Sequence, residues 1–187
     1  MIIIHKIFCI IGRTGVGKSV ITNKAAQKLD MKILKSYTTR SMRKGETVEK
    51  SDHTFINPEE VDQYRDDMVA YTDRVSYCSF ATYQQLFNSD FYEINPKGLY
   101  ELKLKIKDMG IELIPIYISV PYRQNLENAK KRGDLDTWKA NYEKENIEFK
   151  SFEHSDMIQY RILNNGTIDQ AVDKLVKIVE KERNRDA

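Results

Sequence analysis

The stretch IGRTGVGKSV, residues 11–20, directly follows the apolar run MIIIHKIFCI. Gly12, Gly15, Gly17, Lys18 and Ser19 fit the pattern G-x-x-x-x-G-K-[ST] without a mismatch. Glycines permit the positive φ angles that turn successive backbone N–H groups towards one point, and they leave no side chain to obstruct a phosphate. The positive end of a following helix strengthens the same field. Lys18 has the length to reach β and γ phosphates, and the Ser19 hydroxyl can join the shell of a Mg²⁺ ion. Gly12, Arg13, Thr14, Gly15, Val16, Gly17, Lys18 and Ser19 therefore read as a cradle for the triphosphate of ATP or GTP, with Ser19 as the metal ligand.

The flanks supply the context this pattern needs. Residues 2–11 are rich in β-branched residues and almost continuously apolar, as in the central strand of a parallel sheet covered on both faces. Val20, Ile21, Ala25 and Leu29 recur at helical spacing, so a helix is expected over 19–29. A short strand follows at 32–35, and Asn57 with Pro58 opens a short helix. MVAYTDRVSYCSF reads as small antiparallel strands and ATYQQLFN as a helical turn. DFYEIN is a second core strand, and Pro96 starts a helix to about residue 108, stopped by Gly110. IELIPIYISV is a third core strand, followed by a helix from Pro121 towards residue 131. KRGDLDTWK reads as a mobile flap before a helix resumes to about 150. YRIL is a last strand, and Thr167 caps a closing helix with Ile168, Val172, Leu175, Val176 and Val179 on one face. Strands alternating with helices imply an α/β protein with a parallel sheet.

The chain has 187 residues, 41% hydrophobic and 31% charged, enough for one sizeable core but short for two full domains. Its formal net charge of +2 excludes bulk electrostatic coating of nucleic acid, so any anion binding is local. Cys9 and Cys78 have no metal-site spacing, which fits a reducing cytoplasm. Residues 2–11 are interrupted by His5 and Lys6 and are too short to cross a bilayer. The chain is thus expected to be cytoplasmic, without nucleic-acid or membrane partners.

In SYTTRSMRKGE, residues 36–46, Arg40 and Arg43 stand among hydroxyl side chains just after a core strand. Arginine forks match phosphate oxygens in bidentate fashion, and hydroxyls complete an anion's shell. This is a second phosphate site or, on local chemistry alone, a solvated basic loop.

Here the sequence resembles the guanylate kinase family, whose pattern S-x-x-T-R-x-x-R-x-G-E is followed by D-Y-x-F. Ser36, Thr39, Arg40, Arg43, Gly45, Glu46, Asp52 and Phe55 stand in the matching places, and YEINPKG, KKRGD and YRILNN extend the likeness over nearly the whole chain. The resemblance implies a three-layer P-loop NTPase fold forming a single domain. Its core would be 1–35, 90–131 and 151–187, its NMP-binding region 36–89 with short antiparallel strands, and its helical lid 132–150. It also implies ATP-dependent phosphorylation of a nucleoside 5′-monophosphate, GMP or dGMP, with Mg²⁺. Carried over by position, Ser36, Thr39, Arg40 and Arg43 hold the acceptor's phosphate. Glu93 lies near the metal, Arg132 closes over the donor phosphates with Lys18, and Asn164 follows the last strand on the ATP side.

Several positions depart from the family. His53 replaces the phosphate-binding tyrosine. Phe80, Ala81 and Thr82 correspond best to the family's Y-G-[ST], with Thr82 reaching the base and Tyr77 or Tyr83 available in a slipped register. Two acidic base-reading positions fall on Ala70 and Asn95, and neither side chain offers two acceptors. A second lid arginine is missing, with only Lys139 nearby, and Trp138 reads as a packing residue. A kinase with a different or relaxed acceptor, or a non-catalytic binding module of the same fold, remains open on these departures.

Overall fold

A computed structural model describes residues 5–42, 46–49, 51–73, 76–107 and 109–185. In chain order it begins with β1 (His5–Ile11), α1 (Lys18–Leu29), β2 (Ser36–Thr38), β3 (His53–Phe55) and a 3₁₀ helix (Pro58–Tyr64). Next come β4 (Met68–Asp73), β5 (Cys78–Thr82), α2 (Tyr83–Phe87), β6 (Phe91–Glu93) and α3 (Pro96–Lys105). The chain closes with β7 (Ile111–Ser119), α4 (Tyr122–Arg132), α5 (Leu135–Phe152), β8 (Tyr160–Leu163) and α6 (Ile168–Asn184).

The main sheet has the order β6-β1-β7-β8, and all its pairs are parallel. Because side chains alternate along a strand, β1 feeds two cores. Ile7, Cys9 and Ile11 pack with Leu99 and Leu102 of α3 and Phe149 and Phe152 of α5. Phe8 and Ile10 pack with Ile21 and Ala25 of α1 and with Val172, Leu175 and Val179 of α6. Helices thus cover both faces, giving three layers. The Thr167 hydroxyl accepts from Gln170 N–H and caps α6 as its sequence position predicts.

The second sheet, β3-β2-β5-β4, is mixed: β4 and β5 are antiparallel as expected, and β3 adds a parallel edge. β2 and β3 run parallel, with Ser36 opposite His53, whereas β2–β5 and β4–β5 are antiparallel. The reason is connection length: the long chain between Thr38 and His53 can return to run in the same direction, while the tight link from β4 to β5 permits only a hairpin. Between Val69 and Thr72 the register shifts at a bulge, where Ala70 has a φ of 50°.

Three other local expectations change. The strand at 32–35 contracts to one bridge, Ile33 to Phe91, because the Asp90 carboxylate takes the Lys32 N–H at 2.8 Å. Helix α3 ends at Lys105, three residues short of the expected end at 108, which lies outside the described residues. The expected flap is helical: α4 stops at Gly133, whose φ is 75°, and α5 begins at Leu135. Trp138, 2% exposed, packs against Tyr122 and Tyr142 and anchors the first turns of α5.

Candidate active site

The glycine turn joins β1 to α1, and its two kinds of glycine do different work. A Cβ at Gly12 would lie 2.4 Å from the carbonyl oxygen of Ile118, so this position is set by close approach to β7. Gly17 has a φ of 90° and is the N-cap of α1, which brings the turn directly onto a helix amino end. Lys18 Nζ donates to the carbonyls of Gly12 (2.7 Å) and Arg13 (3.1 Å), laying the ammonium across the inside of the turn. Burial lowers its pKa, and the nearby charge of Glu93 opposes that shift.

Side chains from distant parts of the chain hold the turn in shape. Asn164 Nδ2 donates to Val16 O at 3.0 Å, so this residue braces the turn from behind. Asn125 Nδ2 and Trp138 Nε1 both donate to Thr14 O, at 3.0 and 3.3 Å. Arg13 is 6% exposed and turned towards α5: its Nε and Nη2 donate to the Glu153 carboxylate at 2.7 and 3.2 Å. Its guanidinium lies 4.7 Å from the ring centre of Tyr142 and 5.4 Å from that of Phe149. Glu145 of α5 accepts from the Thr14 N–H at 2.8 Å, placing a carboxylate on one amide of the turn. Burial raises the Glu145 pKa, while Thr14 and the charges of Lys18 and Arg13 counter the rise.

At the front of the turn, Ser19 Oγ lies 2.9 Å from Asp52 Oδ2 and 3.0 Å from Glu93 Oε2. Glu93 Oε1 is buried without a hydrogen-bond partner. Burial, and then the charge of Asp52, pushes the Glu93 carboxyl up to about 7. Oxygen donors with excess negative charge and an unsatisfied buried oxygen suit a hard cation such as Mg²⁺. Among the described residues no group of three or more His, Cys, Asp and Glu side chains gathers to hold a metal. That sparse protein contribution fits Mg²⁺, which is usually held by one or two carboxylates together with substrate phosphates and water.

Across a cavity of about 260 Å³, Gly12 and Lys18 face Ser36, Arg40 and His53. Ser36 Oγ and His53 Nδ1 are 2.9 Å apart, joining the starts of β2 and β3. Burial and then the charge of Arg40 lower the His53 pKa, which favours the neutral imidazole. Arg40 makes a fork with the Glu46 carboxylate, 2.7 Å at each nitrogen, and lies 5.0 Å from the ring centre of Phe55. Ser51 Oγ also donates to Glu46, at 2.9 Å, so the arginine's partner is itself fixed. Arg43 and Gly45 lie outside the described residues.

Four residues selected from the sequence stand differently from their expected roles. Thr39 points its hydroxyl at Cys78, accepting its N–H at 2.9 Å. Thr82 is buried as the N-cap of α2, accepting from Gln85 N–H at 3.2 Å, and does not line the cavity. The pairing of Thr38 with Ser79 fixes a different register from the sequence comparison: Tyr77 and Ser79 reach the cavity wall together with Thr72. Asn95 lines the cavity, but its Oδ1 accepts from Gly98 N–H at 2.7 Å and caps α3. Arg132 is exposed beyond the cavity, 3.2 Å from Asp134, its near neighbour at the α4–α5 corner.

Residue choice by sequence passed over Asp52 as a site residue, and also Glu145, Ser79 and Thr72. Asp52 belonged to a matched motif, but nothing in its neighbourhood signals that it meets Ser19. Glu145 sits in a run of alternating charges, EKENIEFK, that reads as an ordinary solvated helix face.

A family model described as guanylate kinase matches residues 4–182. Among solved structures, guanylate kinase from Anaplasma phagocytophilum matches with a TM-score of 0.62 at 18% identity, covering 96% of this chain and 87% of that one. An uncharacterized protein from Eubacterium ventriosum ATCC 27560 matches with a TM-score of 0.50 at 15% identity, covering 93% of this chain and 98% of that one. No curated protein sequence matches. At these identities the structural matches establish the fold, a parallel four-strand sheet with a separate mixed small sheet.

Proposed function

We propose that this chain, which belongs to the guanylate kinase family, transfers the γ-phosphoryl group of ATP to a nucleoside 5′-monophosphate. The observation that carries the reading is the single cavity shared by Lys18 of the glycine turn and Arg40 of the second sheet. Two anionic reactants repel each other, and a cleft with cationic side chains on both sides offsets that repulsion while holding them in line.

Each residue's part follows from its contacts. The turn's N–H groups and the α1 amino end receive the donor phosphates, and Lys18 exchanges its two carbonyl partners for phosphate oxygens. Arg40 is held in plane by Glu46, which leaves its Nε–H among the donors for the acceptor's phosphate. Ser36 and neutral His53 complete that pocket as hydrogen-bonding groups. Arg43 belongs to the same proposal by sequence position. Ser19 and Glu93 are positioned to hold Mg²⁺, which when bound neutralises charge on the donor phosphates. The acceptor oxygen is already anionic, so no general base is required.

A specific observation favours an acceptor range wider than guanine. Ala70 has no hydrogen-bonding side chain, and Asn95 Oδ1 already accepts from Gly98 N–H, so neither residue presents the paired acceptors that guanine's N1–H and amino group call for. Strong base discrimination needs buried polar groups that only the right base satisfies. The test is a panel of GMP, dGMP, AMP, CMP, UMP and dTMP with ATP and Mg²⁺, followed through ADP release. Turnover of GMP and dGMP alone supports a guanine-specific kinase, turnover of several bases supports the wider range, and no turnover with any monophosphate refutes the kinase reading.

A further inference from the structure

We propose that Asp52 is a direct ligand of the cation that accompanies ATP, completing with Ser19 and Glu93 a set of oxygen donors shared between the two sheets. The proposal rests on the phosphotransfer reading and adds to it a residue drawn from the acceptor side of the cleft.

A serine hydroxyl carries one hydrogen, yet Ser19 Oγ has carboxylate oxygens from two separate elements at 2.9 and 3.0 Å. It can donate to only one of them, so the other close oxygen contact is one that a bound cation would satisfy. Glu93 Oε1 adds a third carboxylate oxygen, buried and without a partner. Lys18 lends its charge to both carboxylates, but its ammonium is hydrogen-bonded to Gly12 O and Arg13 O.

Two oxygens in neighbouring positions of a magnesium octahedron, each about 2.0–2.1 Å from the metal, stand about 2.8–3.0 Å apart. Calcium, at about 2.3–2.6 Å with more ligands and looser angles, accommodates wider spacings. The separations at Ser19 fit the smaller ion, and two carboxylates with one hydroxyl leave half of an octahedral shell to phosphate and water.

Asp52 immediately precedes β3, whose first residue, His53, pairs with Ser36 in the acceptor pocket. Ser19 and Glu93 belong to the main sheet's side of the cleft. A cation held by all three ties the donor phosphates to the strand that lines the acceptor site, so donor binding tightens the acceptor pocket through a single residue step.

The test titrates Mn²⁺ into the full chain with ATP, the protein in excess over nucleotide, and counts free Mn²⁺ by electron paramagnetic resonance. Asp52→Asn keeps the side chain's shape and removes its charge; its fold is checked by circular dichroism. The expected result is at least about tenfold weaker Mn²⁺ binding to the protein–ATP complex, with ATP affinity in EDTA unchanged. Ser19→Ala gives a comparable loss. An Asp52→Asn complex that holds Mn²⁺ within twofold of the wild type overturns the proposal while leaving the phosphotransfer reading intact. Wild-type protein that fails to bind ATP overturns both.

Discussion

Replacing Glu145 by alanine tests how the glycine turn is held before nucleotide arrives. In the structure the Glu145 carboxylate accepts the Thr14 N–H at 2.8 Å and lies within the field of Lys18. A hydrogen bond to a charged group contributes about 1.5–3 kcal/mol, and partial exposure of Glu145 argues for the lower end. ATP brings more negative charge to the same amides, so binding must break this contact or work against its charge. Losing about 1 kcal/mol of that opposition strengthens ATP binding roughly fivefold, since 1.4 kcal/mol corresponds to tenfold. The turn keeps its shape, because Asn125 and Trp138 still hold Thr14 O. Isothermal titration with ATP and Mg²⁺ at low salt measures the change, and the gain shrinks as salt screens the carboxylate. Unchanged or weaker ATP binding by Glu145→Ala refutes the idea that this carboxylate competes with the donor.

Two further outcomes follow from the acceptor side and from Glu93. Arg40→Lys preserves charge but loses the fork; it should raise the KM for the monophosphate by at least about tenfold, with the KM for ATP little changed, as steady-state kinetics will report. For Glu93, a carboxyl raised from 4.5 to about 7 binds more protons in the folded than in the unfolded chain between those values. Its contribution to stability therefore falls as pH rises through that window. In EDTA, the Tm of Glu93→Gln minus that of the wild type should grow from pH 4.5 to 7 and then level off; parallel melting curves would contradict this.

The phosphate cradle was legible because its requirements lie in consecutive residues. Gly12, Gly17, Lys18 and Ser19 are read from one short stretch, and the unbroken apolar run of residues 7–11 already calls for a strand covered on both faces, as its two cores show. What failed to show in sequence depends on distant partners. Arg13 reads as part of a phosphate loop, but it is recruited by Tyr142 and Phe149 of α5 and by Glu153 at that helix's carboxyl end. Thr82 and Ser79 exchange roles because strand register depends on the bulge at Ala70 and the pairing with Thr38, neither of which a motif alignment contains. Arg132 has the charge expected of a lid residue, but Asp134 beside it offers a nearer partner.

The central claim is that one closable cleft binds a donor triphosphate and an acceptor monophosphate end to end. Its most direct test is calorimetric titration with a bisubstrate analogue, adenosine and guanosine joined 5′ to 5′ through five phosphates, in the presence of Mg²⁺. The account predicts one analogue per chain, bound more tightly than either ATP or GMP, displaced by each of them, and weakened by both Lys18→Ala and Arg40→Ala. An analogue that binds no better than ATP alone, and that loses nothing on Arg40→Ala, contradicts it.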